Sequence, residues 1–84
     1  MLEFVVYVLW SPAHGKRYVG MTSNLIKRFA SHNKLGTKGW TIRYRPWKVV
    51  HVEFYETKRD ALLREKLLKT GKGREWIDSN VDFK

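Results

Sequence analysis

Phe4-Val5-Val6-Tyr7-Val8-Leu9-Trp10 is an unbroken apolar run rich in β-branched and aromatic residues. Being apolar on both parities, it reads as a strand covered on both faces, hence a central one. A chain of 84 residues has room for one small core. The rest of the fold must therefore be built around this strand. The run is too short to span a bilayer, and no basic head precedes a cleavable apolar stretch. The chain has no cysteine, which excludes disulfide partners and thiolate zinc sites and fits a reducing compartment. The expectation is a cytoplasmic protein with no membrane association.

The segments around the central strand follow in order. Ser11-Pro12-Ala13-His14-Gly15 has turn chemistry, and Arg17 to Met21 reads as a second strand. If Tyr7 lies opposite Tyr18, Trp10 meets Gly15 across a short hairpin loop. That register sets both phenols side by side on one face. Thr22-Ser23-Asn24 offers an N-cap, and Leu25 to Asn33 follows a helical period. Lys34 to Arg45 is cation-rich, without a period, and reads as a loop. Pro46 blocks helix, and Trp47 to Tyr55 reads as a third strand, with Val50, Val52 and Phe54 on one face and Val49, His51 and Glu53 on the other. Thr57-Lys58-Arg59-Asp60 resembles a capping box with Asp in place of Glu. It opens a helix through Lys69 that stops near Gly71 and Gly73. A short last helix, Glu75 to Ser79, would cover the core with Trp76 and Ile77. The fold class expected is α+β: a single domain over residues 1–84, with a small three-stranded antiparallel sheet flanked by helices in the order β-β-α-β-α-α.

Charge narrows the partner. Seventeen Lys and Arg against eight Asp and Glu give a formal net charge of +9. A field of that size favours a polyanion, nucleic acid before an anionic membrane surface. The plain alternative is a soluble basic protein with no such partner.

Two helical faces break the ordinary pattern. Leu25, Arg28, Phe29 and His32 share one face, so a cation and an imidazole lie on or beside the apolar stripe. Arg28 either snorkels at the edge of the core or serves a site. Ala61, Leu62, Glu65 and Leu68 share the corresponding face of the later helix. Glu65 is either a surface glutamate paired with Lys69 one turn on, or a functional carboxylate. A single carboxylate does not suit glycosidase-like acid–base chemistry, but it can hold Mg²⁺ when waters and substrate phosphates complete the shell. No serine or cysteine nucleophile system and no phosphate-binding glycine run is present, and His14, His32 and His51 lack metal-ligand spacing. His51 reads as a half-buried strand residue.

Taken together, Val5-Val6-Tyr7, Tyr18-Val19-Gly20, Arg28, His32 and Glu65 resemble the GIY-YIG nuclease family. Val5-Val6-Tyr7 stands where that family has Gly-Ile-Tyr, and Tyr18-Val19-Gly20 where it has Tyr-Ile-Gly. Arg64 to Lys69 resembles the helix with the metal-binding glutamate, and Gly71 to Ile77 resembles the tail of small stand-alone members. No single triplet is specific; the order and spacing of all five elements are. Val5 replaces a glycine that permits close backbone approach. Valine suits a strand equally well, so the fold is expected to persist and some site geometry to differ. Asn80 is a candidate for a late asparagine seen in several active members. Familiar active relatives also carry a separate DNA-recognition domain, for which this length leaves no room.

The resemblance implies hydrolysis of phosphodiester bonds in DNA with one divalent ion, Mg²⁺ or Mn²⁺, in repair or recombination. It implies Glu65 as metal ligand, Arg28 as phosphate clamp, Tyr7 or Tyr18 as the group that orients or deprotonates water, and His32 as an aid to proton transfer. An unperturbed phenol has a pKa of about 10, so a basic tyrosine would need a nearby cation. Lys16, Arg17, Lys27, Lys34, Lys38, Arg43 and Arg45 are expected backbone contacts that add affinity and salt sensitivity with little sequence information. Trp40 and Trp47 either stack on bases or pack beneath the loop. A monomer cutting one strand is the simplest case. The rival expectations are a nucleic-acid-binding module that keeps this fold without cutting, and a protein-interaction or membrane-surface module that uses the basic face alone.

Overall fold

A computed structural model describes residues 3–25 and 43–83. Three strands form one antiparallel sheet: β1 (Phe4–Ser11), β2 (Lys16–Thr22) and β3 (Lys48–Tyr55), in spatial order β2-β1-β3. Two helices follow, α1 (Lys58–Leu68) and α2 (Gly71–Asn80). This is the expected α+β architecture, with the apolar run as the central strand. The helix expected over Leu25 to Asn33, and most of the loop after it, lie outside the described residues.

β1 is apolar on both parities because both sheet faces are covered. Val6 and Val8 join Val19, Ala61, Leu68, Ile77 and Val81 on the α1–α2 face. Val5, Tyr7 and Leu9 join Trp47 on the opposite face, where Tyr18, Leu25, Tyr44 and Val52 pack against them. Burying these side chains on two sides is the main term that can hold so small a sheet together.

The hairpin register differs from the expected one by two residues. Tyr7 pairs with Gly20, Leu9 with Tyr18 and Ser11 with Lys16. The reason is Gly15. Its φ of 62° is left-handed, and its N–H donates to the Ser11 carbonyl at 2.8 Å, so it belongs to the loop and not to β2. A slip of two preserves side-chain parity, so Tyr7 and Tyr18 still share a face, as diagonal neighbours.

β3 corrects a second expectation. Val8 pairs with His51 but Leu9 pairs with Val49, so Val50 is the extra residue of a bulge. The bulge resets the alternation. Val50 packs with the helix-side cluster, whereas Val52 belongs to the opposite one. Strict period-two reading had placed them together.

Thr57 caps α1, its hydroxyl accepting from the Asp60 N–H at 3.2 Å. Thr70 then does two jobs: its hydroxyl donates to the Leu67 carbonyl at 2.6 Å and accepts from the Gly73 N–H at 3.1 Å. That second cap starts α2 at Gly71, so Gly71 and Gly73 open a helix instead of ending one. Gly73 is needed there because a Cβ would fall 2.2 Å from the Leu67 carbonyl oxygen and 2.4 Å from the Leu68 Cα. The buried stripe of α1 is Ala61 and Leu68; Leu62 is 42% exposed and so does not share the covered face expected for it. Trp76 and Ile77 cover the core as expected, Ile77 fully buried and Trp76 packed beside it.

Candidate active site

The two phenols are set by the hairpin. Tyr7 crosses to its cross-strand partner Gly20, where a Cβ would lie 2.4 Å from the phenol oxygen. The glycine that closes Tyr18-Val19-Gly20 is thus the space through which the Tyr7 ring passes. The Tyr7 and Tyr18 ring centroids stand 6.3 Å apart with their planes at 50°. Tyr7 is fully buried and Tyr18 half-buried, so Tyr18 is the phenol with access to solvent. Trp47 backs Tyr18 at 6.5 Å and is 3% exposed, which makes it packing and not a platform for bases. Val5 is 7% exposed and part of the same core, so its side chain is accommodated where a glycine was anticipated.

Glu65 reaches this edge of the sheet from α1. The residue before it is pinned to β3: Arg64 Nε donates to Glu53 Oε1 at 2.8 Å and Arg64 Nη2 to Glu53 Oε2 at 3.1 Å. The next residue points about 100° further round the helix. Glu65 consequently faces the β2 side, with its side chain 22% exposed and its carboxylate 3.6 Å from Lys69 Nζ. Lys69 in turn stands 5.9 Å from the centre of the Tyr18 ring. A chain of contacts therefore runs Glu65–Lys69–Tyr18–Tyr7 around the β2 edge.

Glu53 anchors a network separate from these phenols. It also accepts from the Tyr55 hydroxyl at 2.6 Å, and His51 Nε2 lies 2.8 Å from Oε2. Burial opposes its charge, but hydrogen bonds from Arg64, Tyr55 and His51 and the Arg64 charge outweigh it and bring the carboxyl down to about 2. Burial and the same carboxylate push the Tyr55 phenol up to about 12, and the hydrogen bond to Glu53 raises Arg64. The Arg64 guanidinium also lies 4.5 Å over the Trp76 ring. His51 is the part-buried strand residue anticipated, with a structural partner.

Arg28 and His32 lie outside the described residues, as do Lys27, Lys34, Lys38 and Trp40. Of the remaining cations expected to touch nucleic acid, Lys16 and Arg43 each stand 5.7 Å from the Tyr44 ring. Arg45 precedes the cis bond to Pro46. Arg17 is held at 2.5 Å by Asp78, joining β2 to α2. Asn80 donates to the Trp76 carbonyl at 2.8 Å, so its amide nitrogen is engaged by its own helix.

Among the described residues, no three His, Asp or Glu side chains are grouped to hold a metal. A lone carboxylate, separated from Tyr18 by the Lys69 ammonium, still fits a hard divalent ion, because Mg²⁺ keeps several waters and takes further oxygens from substrate phosphates. Among the described residues, no helix is long and apolar enough to cross a membrane. Two features escaped sequence reasoning. The Glu53 network depends on Arg64 reaching across from α1 to β3, a contact between separate elements. Arg74, which reaches the Tyr18 side from α2, was hidden by reading the neighbouring glycines as a stop.

Known proteins share this pattern. A family profile described as "GIY-YIG catalytic domain" matches residues 3–77. The chain is similar to a UPF0213 protein of Limosilactobacillus reuteri, 35% identical over 87 residues, covering 96% of this chain and 90% of the relative. A UPF0213 protein of Clostridium perfringens is 42% identical over 52 residues, covering 62% of this chain and 56% of the relative. A UPF0213 protein of Bacillus velezensis is 36% identical over 64 residues, covering 73% and 65%. The matches thus span nine tenths of one relative and less than two thirds of the other two. No solved structure gives a significant match.

Proposed function

We propose that this chain, which belongs to the GIY-YIG family of nuclease catalytic domains, is a divalent-metal-dependent endonuclease that hydrolyses phosphodiester bonds in DNA, as a single cytoplasmic domain acting as a monomer in repair or recombination. The observation that supports this reading is the run of contacts from Glu65 of α1 through Lys69 to Tyr18 at the β2 edge, with Tyr7 of the central strand buried behind Tyr18.

Hydrolysis requires water to lose a proton while charge builds on the phosphate and leaving oxygens. Glu65 would hold Mg²⁺ or Mn²⁺, which when bound stabilises charge on the leaving oxygen. Tyr18 orients or deprotonates the attacking water, since Tyr7 is fully buried behind it. Tyr7 fixes the Tyr18 ring from below, at 6.3 Å. Arg28 clamps the phosphate with its fork of donors, and His32 assists the proton transfer. Lys16, Lys27, Lys34, Lys38, Arg43 and Arg45 add affinity for the DNA backbone.

One observation favours a second reading, a binding module that keeps the fold without cutting: the Lys69 ammonium already pairs with the carboxylate that the metal needs. A plasmid-nicking assay with Mg²⁺ or Mn²⁺ separates the two. The nuclease reading expects cutting by the wild type and its loss in Glu65→Ala and Arg28→Ala with DNA binding retained. Binding without cutting by all three proteins, on every substrate form, would leave the module.

A further inference from the structure

Beside Tyr18 lies an open hollow of about 540 Å³ between β2, the end of α1 and the start of α2. Four cations ring it: Lys16, Arg17, Lys69 and Arg74. Two of them are neutralised within the fold, Arg17 by Asp78 and Lys69 by Glu65. Arg74 is exposed and makes no ion pair among the described residues, and Lys16 is exposed with its ammonium near the Tyr44 ring. Behind these side chains the hollow backs onto the buried core residues Leu68 and Ile77.

We propose that this hollow seats the nucleic-acid strand next to the cut, with Arg74 and Lys16 engaging a phosphate that is not itself cleaved. The inference rests on the nuclease reading above and adds to it a named strand path and Arg74, a residue no sequence feature had singled out. Three features argue for it. The hollow shares Tyr18 and Lys69 with the candidate active site, so a strand held in it is continuous with the scissile bond. Its uncompensated charge, on Lys16 and Arg74, is positive, which suits a sugar–phosphate backbone better than a neutral or basic partner. Its volume lies within the range of sites that enclose a ligand of nucleotide size. Arg17, being paired with Asp78, shapes the rim, and Lys69 stands between the hollow and Glu65.

The test is affinity for a fluorescein-labelled DNA duplex across a salt series. The pair Lys16→Gln with Arg74→Gln is compared with Lys58→Gln plus Arg59→Gln, an equal loss of charge at the other end of α1, roughly 15 Å away along the helix. Unchanged melting temperatures establish that both double variants fold. Losing the one phosphate that the pair neutralises lowers the slope of log K against log salt by about 0.9 for the hollow pair. We expect that shift and an affinity loss of tenfold or more, with less than threefold for the control pair. Equal losses in both pairs, or none in the hollow pair, overturn the strand path while leaving the nuclease reading intact. Failure of the wild type to bind the duplex even at the lowest salt overturns both.

Discussion

At the scale of residues, the phenol pair depends on a missing atom. Adding a Cβ at Gly20 places it 2.4 Å from the oxygen and 2.5 Å from Cζ of Tyr7, a fully buried ring with little freedom to retreat. Gly20→Ala is therefore expected to destabilise the fold by about 1–3 kcal/mol, the usual cost of overpacking. In a Tyr7→Ala background the same change should cost much less. Chemical denaturation of the four proteins of that cycle measures the coupling. At the other end of the site, Glu65→Gln keeps the side chain's volume and removes its charge. It should leave stability within ~0.5 kcal/mol, since its ion pair with Lys69 is partly exposed. Cleavage should fall by about two to three orders of magnitude if this carboxylate holds the metal. Much of this was legible in the sequence. Tyr7 and Tyr18 were placed on one face despite an incorrect register, because a slip of two residues does not change side. Lys69 was visible as the i+4 partner of Glu65, but its reach to Tyr18 depends on how α1 lies across the sheet.

At the scale of elements, Arg64 and Glu53 set the rotation of α1. The paired hydrogen bonds from Arg64 fix one flank of the helix to β3, and Glu65 is turned to the other flank as a result. Glu53→Gln leaves Arg64 part-buried with a weaker partner and should cost about 2 kcal/mol. The acid limb of stability should carry its signature. The Glu53 carboxyl is lowered from 4.5 to about 2, so the folded state holds the ionised form more firmly than the unfolded chain. That contribution is fully present above pH 4.5 and is lost as pH falls towards 2. Melting temperatures of wild type and Glu53→Gln should therefore converge across this window; curves that stay parallel would remove the pin from the account. Gly73→Ala supplies a second test. Alanine normally favours a helix over glycine by about 1 kcal/mol. Here its Cβ meets the backbone of Leu67 and Leu68, which cannot rotate away, so a net loss of stability is expected in thermal melts. The elements themselves were readable from period and caps, Thr57 above all. The β3 bulge was not, because its extra residue is decided by pairing with β1 and not by any local preference of Val49 or Val50.

At the scale of the whole molecule, a formal charge of +9 sits on a fold whose described ion pairs use only some of its cations. Binding to nucleic acid should weaken steeply with salt, and isothermal titration at several chloride concentrations would read the slope. The sign of the partner was legible from composition. The path along which it runs was not, because Lys16, Lys69 and Arg74 come from three elements and meet only after α2 folds back on α1 through Gly73. The central claim is that one carboxylate from α1 and two phenols from the hairpin serve a single metal-assisted site. Crystals soaked with Mn²⁺ and examined for anomalous scattering test this most directly. A metal-assisted site built on Glu65 gives a peak at the Glu65 carboxylate on its Tyr18 side, with the Lys69 ammonium displaced. A peak seated only at other carboxylates, with Glu65 still bound to Lys69, would contradict it.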